Sequence, residues 1–498
     1  MSDRVIVIGG GVGGLTAALA LGRAGHEVTV LERDPLPATA DAEAAFVAER
    51  RGAPQVHQTH GFLARLQVEL REHFPDVLDD LLAAGGTTMP MTANLGEPQP
   101  GDEDLKVIIV RRTTLEWVLR RAVTAQPGVE LRTGAAVTGL VASPFDQAHR
   151  HSGIDGPGPA VRVSGVRLDD GTELSAHTVV AATGRRGPVP QWLSDIGVEV
   201  PETVHESGLM YLTRWYRRPW STAELDPKLG GDLGFVKYLG VPGDGDTLSV
   251  TLAVRTADAE LRSALNDPEG FDQACRLLPG PDQFFAHGPL APIGGVRPMS
   301  GLINRLRRFV DDGGAPMLAG FHALGDAHTT TNPLYGRGCS LAVVQAVLLA
   351  EAYADHPADP VARARAYESG SRREVEPWFE ASVQMDRMGA DPSGRGAIGA
   401  GDGPQSDAAK TMAAVFAAAA THPVIGRGIA RLMNLLVTPS QLMADGEFLT
   451  AVAAVMADPD AYPGPDRSGP SRTELLDALR AGPSTHARPT IDTTSSRA

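Results

Sequence analysis

Cysteine is nearly absent from this chain. Its 498 residues hold only Cys275 and Cys339. That excludes a disulfide framework and a cysteine-based metal site, and it suits a reducing cytoplasm. Long apolar runs are missing too. No segment reaches the roughly 18 consecutive apolar residues that span a bilayer. The apolar run near the N-terminus passes straight into a glycine-rich turn, unlike a secretory signal. Positive charge is in deficit: 45 Lys and Arg stand against 60 Asp and Glu, a net charge of −15. Such a surface repels phosphate backbones, so nucleic acid is not an expected partner. There are no internal repeats. What remains is 42% hydrophobic and 21% charged, the balance of a soluble globular protein large enough for two or three structural units.

What is present starts at residue 5. Val5 to Ile8 is a short apolar, mostly β-branched run. Gly9, Gly11 and Gly14 follow in G-x-G-x-x-G spacing, then an Ala/Leu-rich segment of helical periodicity and a stop at Gly25. A second apolar run, Val28 to Leu31, ends on Glu32. Strand, tight turn, helix, strand and acidic residue in this order make a dinucleotide-binding βαβ unit. Gly9 permits the sharp turn out of the strand. Gly11 has no side chain, so a pyrophosphate can approach the backbone. Gly14 lets the helix pack close to the sheet. The helix start offers unpaired N–H groups and partial positive charge to phosphates, and Glu32 can accept from both ribose hydroxyls.

Further along, an Ala/Asp-rich loop runs to Arg50. The polar stretch from Arg50 to His60 (RRGAPQVHQTH) leads into a helix through Leu63, Leu66 and Leu70, stopped by Pro75, and a second helix through Val77 to Leu82. His57 and His60 lack a third metal ligand nearby; they read either as hydrogen-bonding groups for a cofactor or neighbouring loop, or as structural histidines. Val107 to Val110 reads as a strand. Thr113-x-x-Glu116 reads as a capping box opening a helix, and Val129 to Leu131 as the next strand. Then come Ala136 to Val141, Val161 to Arg167 and Val179 to Ala182, with a polar loop over 146–158.

From Pro201 the pattern turns antiparallel: Leu209 to Tyr216, Phe235 to Leu239 and Leu248 to Val254. Within it, Arg214-Trp215-Tyr216-Arg217-Arg218 reads as a solvated strand end rather than an anion receiver. Pro316 to Ala319 is a buried-type strand. After it, a second glycine-rich stretch, Gly325 to Cys339, opens a long apolar helix, Leu341 to Ala354. The remainder is helical and Ala-rich, broken at Pro377, Pro423 and Pro439. Ser471-x-x-Glu474 opens one more helix ending at Gly482, and the Pro/Ser/Thr-rich tail reads as disordered.

Three sites together resemble a known superfamily, the flavoprotein monooxygenases with the para-hydroxybenzoate hydroxylase fold. They are the Gly9/Gly11/Gly14 loop with Glu32, the strand end Ala181-Ala182-Thr183-Gly184-Arg185, and Gly325-Asp326 with Asn332-Pro333-x-x-Gly336-x-Gly338. Arg50-x-Gly52-x-Pro54-Gln55, His60 and Asn332-Pro333-x-Tyr335-Gly336 look most like the branch of polyether epoxidases, with squalene epoxidase more distant. The resemblance implies an α/β fold: a Rossmann-like FAD-binding domain over 1–200 and 305–356, an inserted antiparallel β-sheet substrate domain over 201–304, and a helical C-terminal region over 357–462. Residues 463–498 would be mostly tail.

It further implies site residues. Gly9, Gly11 and Gly14 would hold the FAD pyrophosphate, and Glu32, with Arg33 and Arg50 close by, the adenosine end. Arg112 would lie along the phosphates and the backbone of Val137 would meet the adenine. Gly325 and Asp326 would take the ribityl or pyrophosphate side, and the loop through Gly336 and Gly338 would place N–H groups at the flavin ring. His328 with its threonines, and Cys339, depart from the pattern and would face the flavin or its pocket. No metal is implied and no catalytic residue is assigned.

The expected activity is epoxidation or hydroxylation of an apolar or natural-product-like small molecule, with O₂ as co-substrate and a flavin C4a-hydroperoxide as oxidant. NADPH or NADH would be a transient reductant, because no second G-x-G-x-x-G follows a strand; a separate flavin reductase is the other source of electrons. The lack of an evident base favours an alkene over a phenol. Two other readings stand beside this one: a reductase of prenyl double bonds, as in geranylgeranyl reductases, and a non-catalytic FAD-binding redox module. A halogenase fits less well, since no Trp-x-Trp-x-Ile-Pro-like segment is found.

Overall fold

The computed structural model describes residues 2–482 apart from 37, 146–158, 223–224, 226–228, 312, 391–413 and 463–467. The expected polar loop over 146–158 and the tail after Gly482 therefore lie outside the described residues.

β1 (Arg4–Ile8) and β2 (Glu27–Glu32) are parallel, Val7 opposite Val30, with α1 (Val12–Arg23) crossing between them. Strands covered on both faces read as unbroken apolar runs, and β1 is buried at all but its first residue. The stretch expected to be loop before Arg50 holds a short helix, α2 (Ala42–Val47); Asp41 caps it by accepting from the N–H of Ala44. α3 (Ala64–His73) and α4 (Pro75–Ala83) follow, Pro75 standing in the first turn of the second helix, where its missing N–H costs nothing. β3 (Thr87–Pro90) and β4 (Lys106–Ile109) make an antiparallel ribbon. α5 (Arg112–Ala125) then leads to β5 (Val129–Thr133), parallel to β2.

The expected Thr113/Glu116 capping box does not form. The N-cap is Arg111 and has no side-chain cap, Thr113 Oγ1 is buried without a partner, and Glu116 is taken by Arg50 and Arg112. In a dry interior a carboxylate gains more from two guanidiniums than from a backbone N–H.

β6 (Val137–Pro144), β7 (Val161–Leu168) and β8 (Glu173–Ser175) are antiparallel neighbours, and β9 (Thr178–Ala181) lies parallel beside β1. α6 (Val189–Asp195) leads out to β10 (Glu202–Glu206). Next come β11 (Leu209–Arg217), β12 (Gly230–Asp232), β13 (Val236–Pro242) and β14 (Thr247–Arg255). α7 (Ala259–Asn266), α8 (Pro268–Leu277) and α9 (Pro281–His287) precede β15 (Ala291–Met299) and β16 (Ile303–Arg307). The larger antiparallel sheet has the order β12-β13-β14-β11-β15. Leu261, Phe271 and Phe284 of the three helices bury one face of it, against Leu212, Tyr216 and Leu252. Arg214, Trp215 and Tyr216 are therefore buried inside β11, contrary to the solvated strand end expected. Arg214 pairs with Asp272, as does the Tyr216 hydroxyl.

β17 (Leu318–Ala319) is shorter than the strand expected there. It pairs with β7, and the chain then changes sheets at Gly320, where φ is +71° and a Cβ would stand 2.5 Å from the Val163 carbonyl oxygen. β18 (Phe321–Ala323) completes the parallel sheet β18-β9-β1-β2-β5, and β19 (Thr329–Thr330) pairs with β16.

α10 (Gly338–Asp355), α11 (Pro360–Glu374) and α12 (Glu376–Ala390) follow. By length and composition α10 is apolar enough to cross a bilayer, although no run of 18 consecutive apolar residues marks it, and 67% of it is buried inside the protein. Its Val343, Ala346 and Leu349 share a core with Leu15 and Leu19 of α1. Later helices cover Pro423–Met433, Pro439–Leu442, Gly446–Ala457 and Arg472–Ala481. Pro423 and Pro439 open helices rather than break them, and Ser471 and Glu474 form the expected capping box.

Candidate active site

The turn after β1 has no room for side chains at two of its glycines. Gly9 has φ +112°, and a Cβ there would lie 2.4 Å from the carbonyl oxygen of Ala182. One on Gly14 would lie 1.9 Å from the carbonyl oxygen of Gly9. Gly11 is different: nothing stands within 4 Å of where its Cβ would be. Gly13, which the spacing did not single out, is the packing glycine. Its absent Cβ would stand 2.7 Å from Leu324 Cδ1 and 3.2 Å from Ala342 Cβ. α1 and α10 thus pack together near their N-terminal ends, and neither helix carries a side-chain cap at its start. Two uncapped helix starts side by side concentrate unpaired N–H groups and partial positive charge.

Glu32 closes the loop from the other side. Its Oε2 accepts from Gly10 N at 2.8 Å and its Oε1 from Asp34 N at 2.8 Å. A carboxylate oxygen has a second lone pair, so acceptor capacity remains for ribose hydroxyls. Arg33 donates to the Gly52 carbonyl at 3.3 Å. Arg50 is fully committed elsewhere: its guanidinium reaches Glu32 at 3.5 Å, Asp34 at 3.3 Å and Glu116 at 2.6 Å. It braces the acidic groups of the site. Burial opposes charge on Glu116, but Arg50 and Arg112 outweigh it and hold the carboxyl below its usual range. Val137 is half-buried at the start of β6, opposite Leu168.

The second glycine loop meets the first on the side of the sheet that α1 covers, where Leu324, Cys339 and Val343 share a core with Val12 and Leu15. Gly325, at φ +58°, donates its N–H to Gln345 Oε1 at 2.7 Å. Asn332 accepts from Leu334 N to start the turn Pro333–Tyr335, and Gly336, at φ +67°, reverses the chain into Gly338, the first residue of α10. A Cβ on Gly338 would lie 3.8 Å from Asp326 Oδ1. Burial lifts the Asp326 carboxyl above its usual range, against the pull of Arg112, Arg185 and Arg305. Arg112 itself donates to Glu116 Oε1 at 3.0 Å and lies 3.5 Å from His60 Nε2.

The histidines separate. His60 Nδ1 sits 2.9 Å from the Gln58 carbonyl oxygen, and burial drops its pKa to about 3. His57 falls to about 4 for the same first reason, with Arg297 adding to it. Both are neutral near pH 7. His328, expected at the flavin or its pocket, hydrogen-bonds Thr329 Oγ1 at 2.7 Å and pairs with Glu368 of α11 at 3.4 Å; its ring stands beside Phe309. Cys339 is buried in the first turn of α10 near Arg112, and burial raises its thiol. Among the described residues no group of three or more His, Cys, Asp or Glu side chains suits a metal.

Contacts that no local spacing announces tie this region to the antiparallel sheet. Tyr211 OH donates to Asn332 Oδ1 at 2.9 Å. Thr213 Oγ1 reaches Gln58 Oε1 at 2.6 Å and Thr251 at 2.6 Å, and Thr251 reaches Thr59 at 2.7 Å. Trp215 Nε1 donates to the His57 carbonyl at 2.7 Å. Asp244 accepts from Arg111 N and Nη2, and from Thr114 Oγ1.

A parallel sheet with two uncapped helix starts meeting over its end, an open position at Gly11 and an acidic residue closing β2 fits the pyrophosphate and ribose of FAD. These features define an FAD-dependent oxidoreductase. Residues 4–105 match the family described as FAD dependent oxidoreductase. The chain is 31% identical over 376 residues to protein Rv3254 of Mycobacterium tuberculosis, covering 69% of this chain and 71% of that protein. It belongs to the same family. Among solved structures, P. aeruginosa PqsL in complex with 2-aminobenzoylacetate superposes with a TM-score of 0.55 at 19% identity, over 78% of this chain and 95% of that one. OxyS anhydrotetracycline hydroxylase from Streptomyces rimosus gives 0.54 at 19% identity, over 88% and 76%. The fold is that of FAD-dependent monooxygenases.

Proposed function

We propose that the protein is an FAD-dependent monooxygenase that epoxidises or hydroxylates an apolar or natural-product-like small molecule, in the manner of the polyether epoxidase branch. The observation that carries this reading is the meeting of the α1 and α10 starts at Gly13 and Ala342, with Gly11 left open.

Gly9, Gly11 and Gly14 hold the pyrophosphate. Glu32 holds the ribose, Arg33 and the Val137 backbone the adenine, and Arg112 runs along the phosphates. Gly325 and Asp326 hold the ribityl side, while Gly336 and Gly338 present N–H groups to the ring. Arg50 acts through Glu32 and Glu116 rather than on the cofactor. Bound and reduced by NAD(P)H or a separate reductase, FAD supplies the activation of O₂. The chain supplies placement and dryness. His57 and His60 are neutral but too weakly basic to serve a phenol, and burial raises Tyr211 and Tyr335, so their hydroxyls keep their protons. Epoxidation of an alkene needs no base.

The test is incubation of the FAD-loaded protein with reductant, ¹⁸O₂ and a panel of polyenes, terpenoids and phenols. One ¹⁸O atom in the product supports the reading. Saturation of a double bond without O₂ uptake would make the protein a reductase instead.

A further inference from the structure

We infer that Asp386, on α12 and outside the glycine loops, is the positioning residue of the turn that leads into α10. Its carboxylate gathers three donors. Asn304 Nδ2 of β16 reaches Oδ2 at 2.6 Å; Asn332 Nδ2 and Tyr335 OH reach Oδ1 at 2.8 and 2.7 Å. The asparagines are also locked to each other, since Asn304 Oδ1 accepts the backbone N–H of Asn332 at 2.8 Å. Through Asn332 Oδ1 the network continues to Tyr211 of β11. Both asparagines are 0% exposed, so water cannot replace a lost partner.

The next residue in the turn adds a charge argument. Arg337 is 1% exposed. Its N–H groups end on the Trp378 carbonyl, Ser382 Oγ and Met385 Sδ, with Nε unpartnered, and among the described residues no carboxylate forms an ion pair with it. Its guanidinium lies over the Tyr335 ring, 4.9 Å from the centroid. Tyr335 is thus bracketed, with a cation on its face and the Asp386 carboxylate on its hydroxyl. One side chain of α12 thereby fixes both ends of the turn Pro333–Tyr335. The backbone directions of Gly336 and Gly338, which follow at once, depend on it. Asp386 acts through Asn304, Asn332 and Tyr335; its consequence for the flavin ring rests on the proposed function.

The test compares Asp386→Asn and Tyr335→Phe with wild type. Asparagine turns one acceptor into a donor that faces Asn304, whose own oxygen is already engaged. In protein without FAD, amide hydrogen exchange over 332–340 is expected to speed up about tenfold in Asp386→Asn, and less in Tyr335→Phe, with α1 and the β1/β2 strands unchanged. In FAD-loaded protein the visible circular dichroism of the flavin is expected to change in the same order. Exchange over 332–340 within twofold of wild type in both variants would overturn the inference, as would a rise spread evenly over all elements. If Asp386→Asn does not fold, Tyr335→Phe alone decides by the same criterion. Failure of wild type to take up FAD would sink the flavin reading while leaving the exchange result to judge Asp386.

Discussion

Arg50 Nη1 donates to Glu116 Oε2 at 2.6 Å, and the two side chains are 5% and 2% exposed. Arg112 holds the other oxygen of the same carboxylate, so Glu116 balances two largely buried cations. Glu116→Gln is expected to cost ~3 kcal/mol at pH 7, because it removes the carboxylate that pairs with Arg112 and leaves Arg50 only its longer contacts to Glu32 and Asp34. The folded carboxyl sits below its usual range. Its contribution is therefore present above the unfolded pKa, about 4.3, and is lost as pH falls through the lower folded value. Urea unfolding should show the gap between wild type and variant narrowing at acid pH. A gap independent of pH would contradict the assignment.

The two glycines of the phosphate loop should behave oppositely. Gly14→Ala places a methyl against the Gly9 carbonyl oxygen, a backbone clash that cannot turn aside, and should destabilise by ~3 kcal/mol or more. Gly11→Ala meets open space at φ −89°, and should stay within ~0.5 kcal/mol of wild type. If the pyrophosphate lies on this loop as proposed, Gly11→Ala should weaken FAD binding at least about tenfold, because its methyl would stand in the way. Thermal unfolding without flavin and fluorescence titration with FAD separate the two effects.

Three histidines with depressed pKa values contribute to the acid side of stability. Burial holds His60 and His322 near pKa 3 and His57 near 4. On unfolding below about pH 6.5 each takes up a proton. Their contribution is therefore full above pH 6.5 and falls as pH drops toward the folded values, each histidine adding a slope of up to ~1.4 kcal/mol per pH unit. His322→Phe should flatten the loss of stability between pH 6 and 4. None of the three changes charge between pH 7 and 8 in the folded protein, so His60→Gln should leave any pH profile of turnover in that window unmoved.

Much of the nucleotide half was legible because its signals are contiguous: a β-branched run, glycines at fixed spacing, a helical period and an acidic end all fall between Val5 and Glu32. The rest depended on partners far away in sequence. Glu116 sits three residues after Thr113 and reads as a cap, but Arg50 claims it from 66 residues away. Arg214 to Tyr216 reads as a charged strand end because nothing local says that α8 and α9 will cover that face. Asp244 and Asp386 stand in no motif; their partners lie 133 and 54 residues distant. Pro75, Pro423 and Pro439 read as breaks, while their fixed φ and missing N–H suit them to open helices.

The paired helix starts are proposed to hold a flavin that passes oxygen to a substrate. The most direct measurement is rapid mixing of the anaerobically reduced, FAD-loaded protein with O₂ while the visible spectrum is followed. The expected result is a transient species distinct from both reduced and oxidised flavin, longer-lived in wild type than in Asp386→Asn. Direct return to oxidised flavin with one equivalent of H₂O₂ and no transient, with or without an added polyene, would contradict it.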